Sequence, residues 1–215
     1  MYKNWKLKIK NYQRGFSLME MLVVIALFTI ITGAALANHA RFGEGILATN
    51  LAYDVALSLR EAQSYGLSVR QASGSSTFDI GYGIHFKSDT FFVFFADLNS
   101  DQKYDGTSVD GKCVNGTECL KVYRLERGNS IASFCGVLTS FGSLDCRNFI
   151  TTGADILFLD VLFKRPYPDA FIRTDLNGQE EERYQSAYVV LLSPKHRESR
   201  TVEVFQTGQI SIKNK

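Results

Sequence analysis

The sequence predicts an α+β protein: one long N-terminal helix packed on a C-terminal antiparallel β-sheet domain. Three observations predict it. Residues 16–70 contain no proline and are first apolar, then amphipathic, at helical spacing. Beyond residue 70 the apolar period shortens to that of strands, in short runs separated by turn residues. Few helical patterns remain there, so the strands lack crossover helices and are expected to pair antiparallel. With 45% hydrophobic residues and 3 prolines in 215, the composition excludes global disorder.

Charge divides the chain unevenly. The formal total is +2, from 24 basic and 22 acidic residues. Five of the basic residues (Lys3, Lys6, Lys8, Lys10 and Arg14) fall in the first 15 positions, which hold no acid. The other 200 residues therefore carry 19 basic against 22 acidic groups, or −3. Only a short head is basic, which argues against a broad nucleic-acid surface.

The helix begins with an apolar run. Met21–Ala37 is 17 residues without a charge, and extending back to Phe16 gives 22 residues with one, Glu20. At about 1.5 Å per residue that is roughly 33 Å of helix, enough for a bilayer core. The basic head before it predicts a cytoplasmic N-terminus and an exported remainder. An ordinary secretory signal fits poorly. The run is long for one, no clear small-x-small cleavage site follows it, and an acid sits just inside it.

The junction Arg14-Gly15-Phe16-Ser17-Leu18-Met19-Glu20-Met21-Leu22-Val23-Val24-Ile25-Ala26 resembles the prepilin (class III) signal of type IV pilins and type II secretion pseudopilins. The resemblance implies cleavage between Gly15 and Phe16 by a prepilin peptidase on the cytoplasmic side, retention of the apolar helix, and N-methylation of the new Phe16 amine. It divides the chain into a leader (1–15), a transmembrane and filament-core helix (16–37), an amphipathic continuation (38–70) and an extracytoplasmic β-rich head (71–215). Glu20 fits on physical grounds. A carboxylate in hydrocarbon is costly unless paired, and cleavage creates an ammonium at Phe16, one helical turn away. Glu20 can pair with the Phe16 ammonium of its own or a neighbouring subunit, and pairing with the neighbour would favour packing in register during assembly.

Past Ala37 a stripe of Leu47, Leu51, Val55, Leu59, Ala62 and Val69, widened by Ala48, Ala52 and Ala56, faces a domain core. A helix from about Phe16 to about Val69 would be roughly 80 Å long. Gly33, Gly43 and Gly45 are places where it could soften or melt. Ser73–Ser76 reads as a linker. Strands are then expected at Thr77–Lys87, Thr90–Ala96, Leu120–Glu126, Asp155–Phe163, Ala170–Asp175, Ala187–Leu192, Arg200–Phe205 and Gln209–Ile212. Gln206-Thr207-Gly208 and Asn177-Gly178 are turn signals. The helix should lie on the inner face of the resulting antiparallel sheet. Phe163–Ala170, Arg200–Val204 and Thr207–Ile210 resemble the closing strands of minor pseudopilin and fimbrial-assembly heads.

Cys113, Cys119, Cys135 and Cys146 all lie in the exported part, where disulfides are expected. Three connectivities are possible; Cys113–Cys119 with Cys135–Cys146, closing short local loops, is preferred. Zinc is disfavoured, because the CxxC pairs common in such sites are missing.

The segment Asp97-Leu98-Asn99-Ser100-Asp101-Gln102-Lys103-Tyr104-Asp105-Gly106 places oxygen side chains at positions 1, 3, 5 and 9 of a loop, with the Lys103 carbonyl at position 7. Gln102 stands where an EF-hand has glycine, and Ser108 where it has a bidentate Glu. An EF-hand is therefore rejected, but a single strand-linked calcium loop survives, closed by Asp110 or Glu118. One calcium ion is the only cofactor expected.

Catalysis is not expected. His39, His85 and His196 are scattered, and there is no nucleophile elbow, phosphate loop or HExxH helix. The expectation is a structural subunit of a type IV pilus-like filament at the cytoplasmic membrane and cell surface. Its expected partners are other pilin subunits, the prepilin peptidase, and an assembly platform with its ATPase. The alternatives are a minor pseudopilin of type II secretion and a membrane-anchored calcium-binding module that does not polymerise.

Overall fold

A computed structural model of the protein describes residues 15–68, 79–109, 112–114, 117–138, 143–151, 154–176 and 184–214 and, for residues 37–42, the backbone alone. Val69, the Ser73–Ser76 linker, the first residues of the Thr77–Lys87 strand, Asp110, the Asn177-Gly178 turn and most of the leader lie outside the described residues.

One helix, α1 (Leu18–Leu67), runs unbroken through Gly33, Gly43 and Gly45. None of the three glycines ends it. The chain forms two compact units, Met1–Arg41 and Phe42–Lys215, and α1 contributes to both.

In the first unit, Leu18–Leu36 has a mean hydropathy of 2.2 and none of it is buried by the rest of the protein. Met21, Leu22, Val23, Val24, Ile25, Leu27, Phe28, Ile30 and Ile31 all stand exposed on every side of the helix. A helix that is apolar all round requires an apolar environment.

Among the described residues, the second unit is built of α1 from Phe42 onward and twelve strands. In chain order they are β1 (Gly81–Phe86), β2 (Phe91–Asp97), β3 (Ser108–Val109), β4 (Lys112–Cys113), β5 (Cys119–Arg124), β6 (Ser130–Leu138), β7 (Leu144–Asn148), β8 (Leu159–Phe163), β9 (Ala170–Thr174), β10 (Tyr184–Leu192), β11 (Ser199–Phe205) and β12 (Ile210–Asn214). Where the pattern suggested one antiparallel sheet, there are two of five strands. Their orders are β5-β2-β1-β8-β9 and β12-β11-β10-β6-β7, and β3-β4 form a separate two-stranded ribbon. Every pairing is antiparallel. The difference comes from β6 and β7, which the strand pattern did not reveal. β6 pairs with β10 along its length and brings β7 in behind it.

The predicted stripe of α1 is the buried one. Leu51, Ala52, Val55, Ala56, Leu59 and Ala62 join one core with Tyr82, Ile84, Phe86, Phe92 and Phe94 of the first sheet and Phe134, Val189, Leu191, Val202 and Val204 of the second. The helix end meets β8 at backbone distance. A Cβ on Gly66 would lie 2.2 Å from the Phe163 carbonyl, and the Gly66 carbonyl accepts the Arg165 N–H at 3.1 Å.

Alternation along the first sheet gives it a second buried face. Tyr82, Ile84, Phe92, Phe94, Val161 and Phe163 point to the helix side, which leaves His85, Val93, Phe95, Asp97, Asp160 and Leu162 on the other. That second face is also closed to solvent. The loop after β2 helps to cover it, with the Tyr104 ring 4.6 Å from His85 and 5.4 Å from Phe95.

Candidate functional site

The first candidate site lies at the start of α1. Gly15, Phe16 and Ser17 precede the helix and are exposed. Ser17 is the N-cap: its Oγ accepts the Met19 N–H at 3.3 Å and its carbonyl accepts the Met21 N–H at 3.1 Å. Such a cap satisfies one of the otherwise orphaned N–H groups of the first turn and fixes where the helix begins. The Gly15–Phe16 peptide bond therefore stays outside the helix, open to an enzyme. A Cβ at Gly15 would meet nothing within 4 Å. Glu20 is the acid of the first turn, exposed, three residues after the cap. Its negative charge there complements the positive end of the helix dipole.

Residues 10–36 match the prokaryotic N-terminal methylation motif. The chain carries a prepilin class III signal. This signal is characteristic of type IV pilins and pseudopilins and supports a pilin-like or pseudopilin precursor, with prepilin peptidase and pilin subunits as implied partners. The match spans the leader end, Gly15, Phe16, Glu20 and the apolar helix, and stops short of the head. No curated protein and no solved structure matched the chain. The N-terminal apolar helix of the prepilin signal, the only one of that length and hydropathy among the described residues, fits a membrane-anchored protein.

The second candidate site is the acidic loop between β2 and β3. Asp97 closes β2 and is 1% exposed. Its Oδ2 accepts the Gln102 N–H at 3.1 Å, while its Oδ1 has no hydrogen-bond partner among the described residues. The Asn99 side-chain oxygen accepts the Asp101 N–H at 3.1 Å, and Asp101 Oδ1 accepts the Lys103 N–H at 2.9 Å. Asn99 Nδ2 donates to Asp105 Oδ2 at 2.9 Å. Glu118 reaches in from the start of β5. Its two oxygens accept the Leu98 N–H at 2.9 Å and the Asp105 N–H at 2.8 Å. Asp97, Asn99, Asp101, Asp105 and Glu118 are thus brought into one cluster, and Lys103 sits on its turn.

Gln102, the residue that broke the EF-hand pattern, has φ +65°, and Ser100 has φ +64°. The left-handed turn that glycine supplies elsewhere is formed here by a glutamine, at a cost of about 1–2 kcal/mol. The buried Arg173 of β9 holds it there, with its guanidinium donating from Nε at 3.1 Å and from Nη2 to the Gln102 side-chain oxygen.

The cluster sits in an electrostatically uncomfortable state. Burial pushes the Asp97 carboxyl up, and the Asp101 charge adds to this against the pull of backbone N–H groups. Burial likewise pushes Glu118 up, with the Asp97 and Asp105 charges adding to it. Among the described residues no three His, Cys, Asp or Glu side chains form a ready metal cage. The loop's oxygens instead hold its own backbone.

The loop is anchored at both ends. Asp160 Oδ2 accepts the Tyr104 N–H at 3.0 Å, and Asp160 Oδ1 bonds His85 Nδ1 at 2.5 Å. The Ala96 N–H donates to the Glu118 carbonyl at 2.9 Å. The next residue, Cys119, is bonded to Cys113, and Cys135 is bonded to Cys146 directly across β6 and β7. His85, Asp160 and Arg173 were not foreseen as supports. Sequence spacing carries no sign of them, because they arrive on strands far apart in the chain. His196 lies exposed in the turn before β11, and the side chain of His39 is outside the described residues.

Proposed function

We propose that this protein is a structural subunit of a type IV pilus-like filament. It is made as a prepilin, cut between Gly15 and Phe16, methylated on the Phe16 amine, and assembled through α1. It performs no catalysis of its own. The observation that carries this reading is the methylation motif across residues 10–36, which takes in a helix, Leu18–Leu36, apolar on every side.

Cleavage at Gly15 leaves Phe16 with a free ammonium, and Glu20 lies four residues on. In a helical bundle leaving the bilayer, that carboxylate pairs with the Phe16 ammonium of the adjacent subunit. An unpaired charge in the apolar bundle is costly, so wrong registers are rejected. A second observation supports polymerisation over a lone anchor. In the second unit α1 keeps exposed apolar residues at Ile46, Tyr53 and Leu57, a row on the outer face of the helix away from its own core. A helix that only tethers a head has no need of that row.

The test is the mature chain itself. Mass spectrometry of sheared surface filaments should find it beginning at methylated Phe16. Glu20→Ala should leave processing intact and remove the chain from filaments. Normal incorporation of that variant would sink the assembly role of Glu20, and a chain still beginning at Met1 in the membrane would sink the prepilin reading. Recovery only with a secretion apparatus, and never in surface fibres, would assign it to a pseudopilus instead.

A further inference from the structure

We propose that the β2–β3 loop binds one calcium ion, held by Asp97, Asn99, Asp101, the Lys103 carbonyl and Asp105, with Glu118 closing the site from β5. The proposal does not depend on the filament reading.

Two independent observations carry it. The first is the donor set. Four side chains with oxygen donors lie along one tight turn and Glu118 joins them from the start of β5, four of the five being carboxylates, with hydrogen bonds tying each to the loop. The second is the orphan. Asp97 is 1% exposed, one of its oxygens accepts the Gln102 N–H from within the loop, and the other has no hydrogen-bond donor among the described residues. A buried, unpaired carboxylate oxygen is costly, by at least about 1–3 kcal/mol, unless something fills the position. A cation beside Asp97 removes that cost and the mutual repulsion of Asp97, Asp101, Asp105 and Glu118 together.

The chemistry selects the cation. All the donors are hard oxygens of mixed type: carboxylate, amide and backbone carbonyl. Calcium accepts six to eight such ligands at about 2.3–2.6 Å in irregular geometry, whereas magnesium demands a near-ideal octahedron and sheds water reluctantly. A turn of Asx-type bonds with two residues at positive φ is an irregular frame. The hydrogen bonds also leave capacity for a metal. Asp101 engages Oδ1 and Asp105 engages Oδ2, so each keeps its second oxygen. The Gln102 side chain turns away to Arg173 and stays out of the ligand set.

The frame is rigid where it matters. Asp160 fixes Tyr104 through the backbone, the Cys113–Cys119 bond fixes the residue after Glu118, and β2 fixes Asp97. Arg173 is thus a positioning residue. It holds the Gln102 side chain where the turn has its positive φ and keeps it away from the loop's carboxylates.

The full chain, purified in detergent, should be titrated with CaCl2 by isothermal calorimetry, with MgCl2 as comparison, and melted in CaCl2 and in EDTA. The expected result is one saturable calcium site per chain, much weaker heats with magnesium, and a melting temperature several degrees higher with calcium. Asp101→Asn is exposed and should fold normally in EDTA, yet lose most of the affinity. Asp97→Asn should lose binding altogether. Absence of calcium heat from a wild-type chain that melts cooperatively would overturn the proposal. So would unchanged affinity in a folded Asp101→Asn chain, or equal response to magnesium. If Asp97→Asn does not fold, Asp101→Asn alone decides.

Discussion

Two stretches of the same helix meet opposite surroundings. From Leu18 to Leu36, α1 is apolar on all sides and buries nothing within its own chain. From Glu44 to Arg60 it alternates, with Ala48, Leu51, Ala52, Val55, Ala56 and Leu59 buried and Tyr53, Asp54, Leu57 and Arg60 exposed. Both stretches are α-helical, so the difference lies in their side chains. The first stretch buries its apolar surface against nothing in its own chain. The second has its partner in cis, a core shared by two sheets. Stability of the isolated chain should therefore reside in the second stretch and competence for assembly in the first.

The sharpest way to break that comparison is to remove a methyl cluster from each stretch. Leu59→Ala should destabilise the head by about 2–5 kcal/mol, since Leu59 is wholly buried. Leu27→Ala should change the melting of the detergent-solubilised chain by less than about 0.5 kcal/mol, since Leu27 is exposed. Parallel thermal melts would decide, and equal losses would refute the division. Next in size are the disulfides. The bridges join residues 6 and 11 positions apart. By loop entropy they contribute about 2 and about 3 kcal/mol. Reduction with dithiothreitol should therefore lower the denaturant midpoint without altering the apolar stretch.

Gly66→Ala comes third. The new methyl would lie against the Phe163 carbonyl, and overpacking of this kind typically costs about 1–3 kcal/mol. A loss much below that would mean that the helix end yields easily.

The smallest effect concerns pH. Glu44 is held below its ordinary range, first by the Ser193 side chain and then by the Lys195 N–H, which it accepts at 3.1 Å. A lowered carboxyl stabilises the fold above its unfolded pKa, and the gain disappears as pH falls through the folded value. Melts of wild type and Glu44→Gln should differ at pH 7 and converge as the pH falls through and below the lowered Glu44 carboxyl. A constant difference would show that Glu44 matters only through packing.

Much of this was legible in the sequence. The prepilin junction is a dense local signal, and the α1 stripe follows from spacing alone. Strands β1, β2, β8 and β11 announced themselves by alternation or by aromatic runs such as Phe91–Phe95. β6 did not. Ser130, Ser133 and Gly136 dilute it, and its glycine makes sense only against the Tyr184 ring, where a Cβ would lie 2.5 Å away. β7, with Asp145, Arg147 and Asn148, is a polar edge strand held by pairing and by Cys146. Both owe their existence to tertiary context, which overrides weak strand propensity. The acidic loop was legible as chemistry but not as geometry. Gln102 looked like a break in the pattern, yet it makes the left-handed turn anyway, braced by an arginine 71 positions later.

Neither disulfide joins α1 to a sheet; each closes a loop among strands. A pulling force that enters the head along α1 therefore meets no covalent brace. It is carried by the Leu51–Ala62 packing, by the Lys195 N–H on Glu44, Arg200 on Thr49, Tyr123 on Glu61 and Gln63 on the Gly208 carbonyl, and by the Arg165 N–H on the Gly66 carbonyl. Under tension, the helix should peel from the sheets as a unit, leaving both crosslinked loops closed.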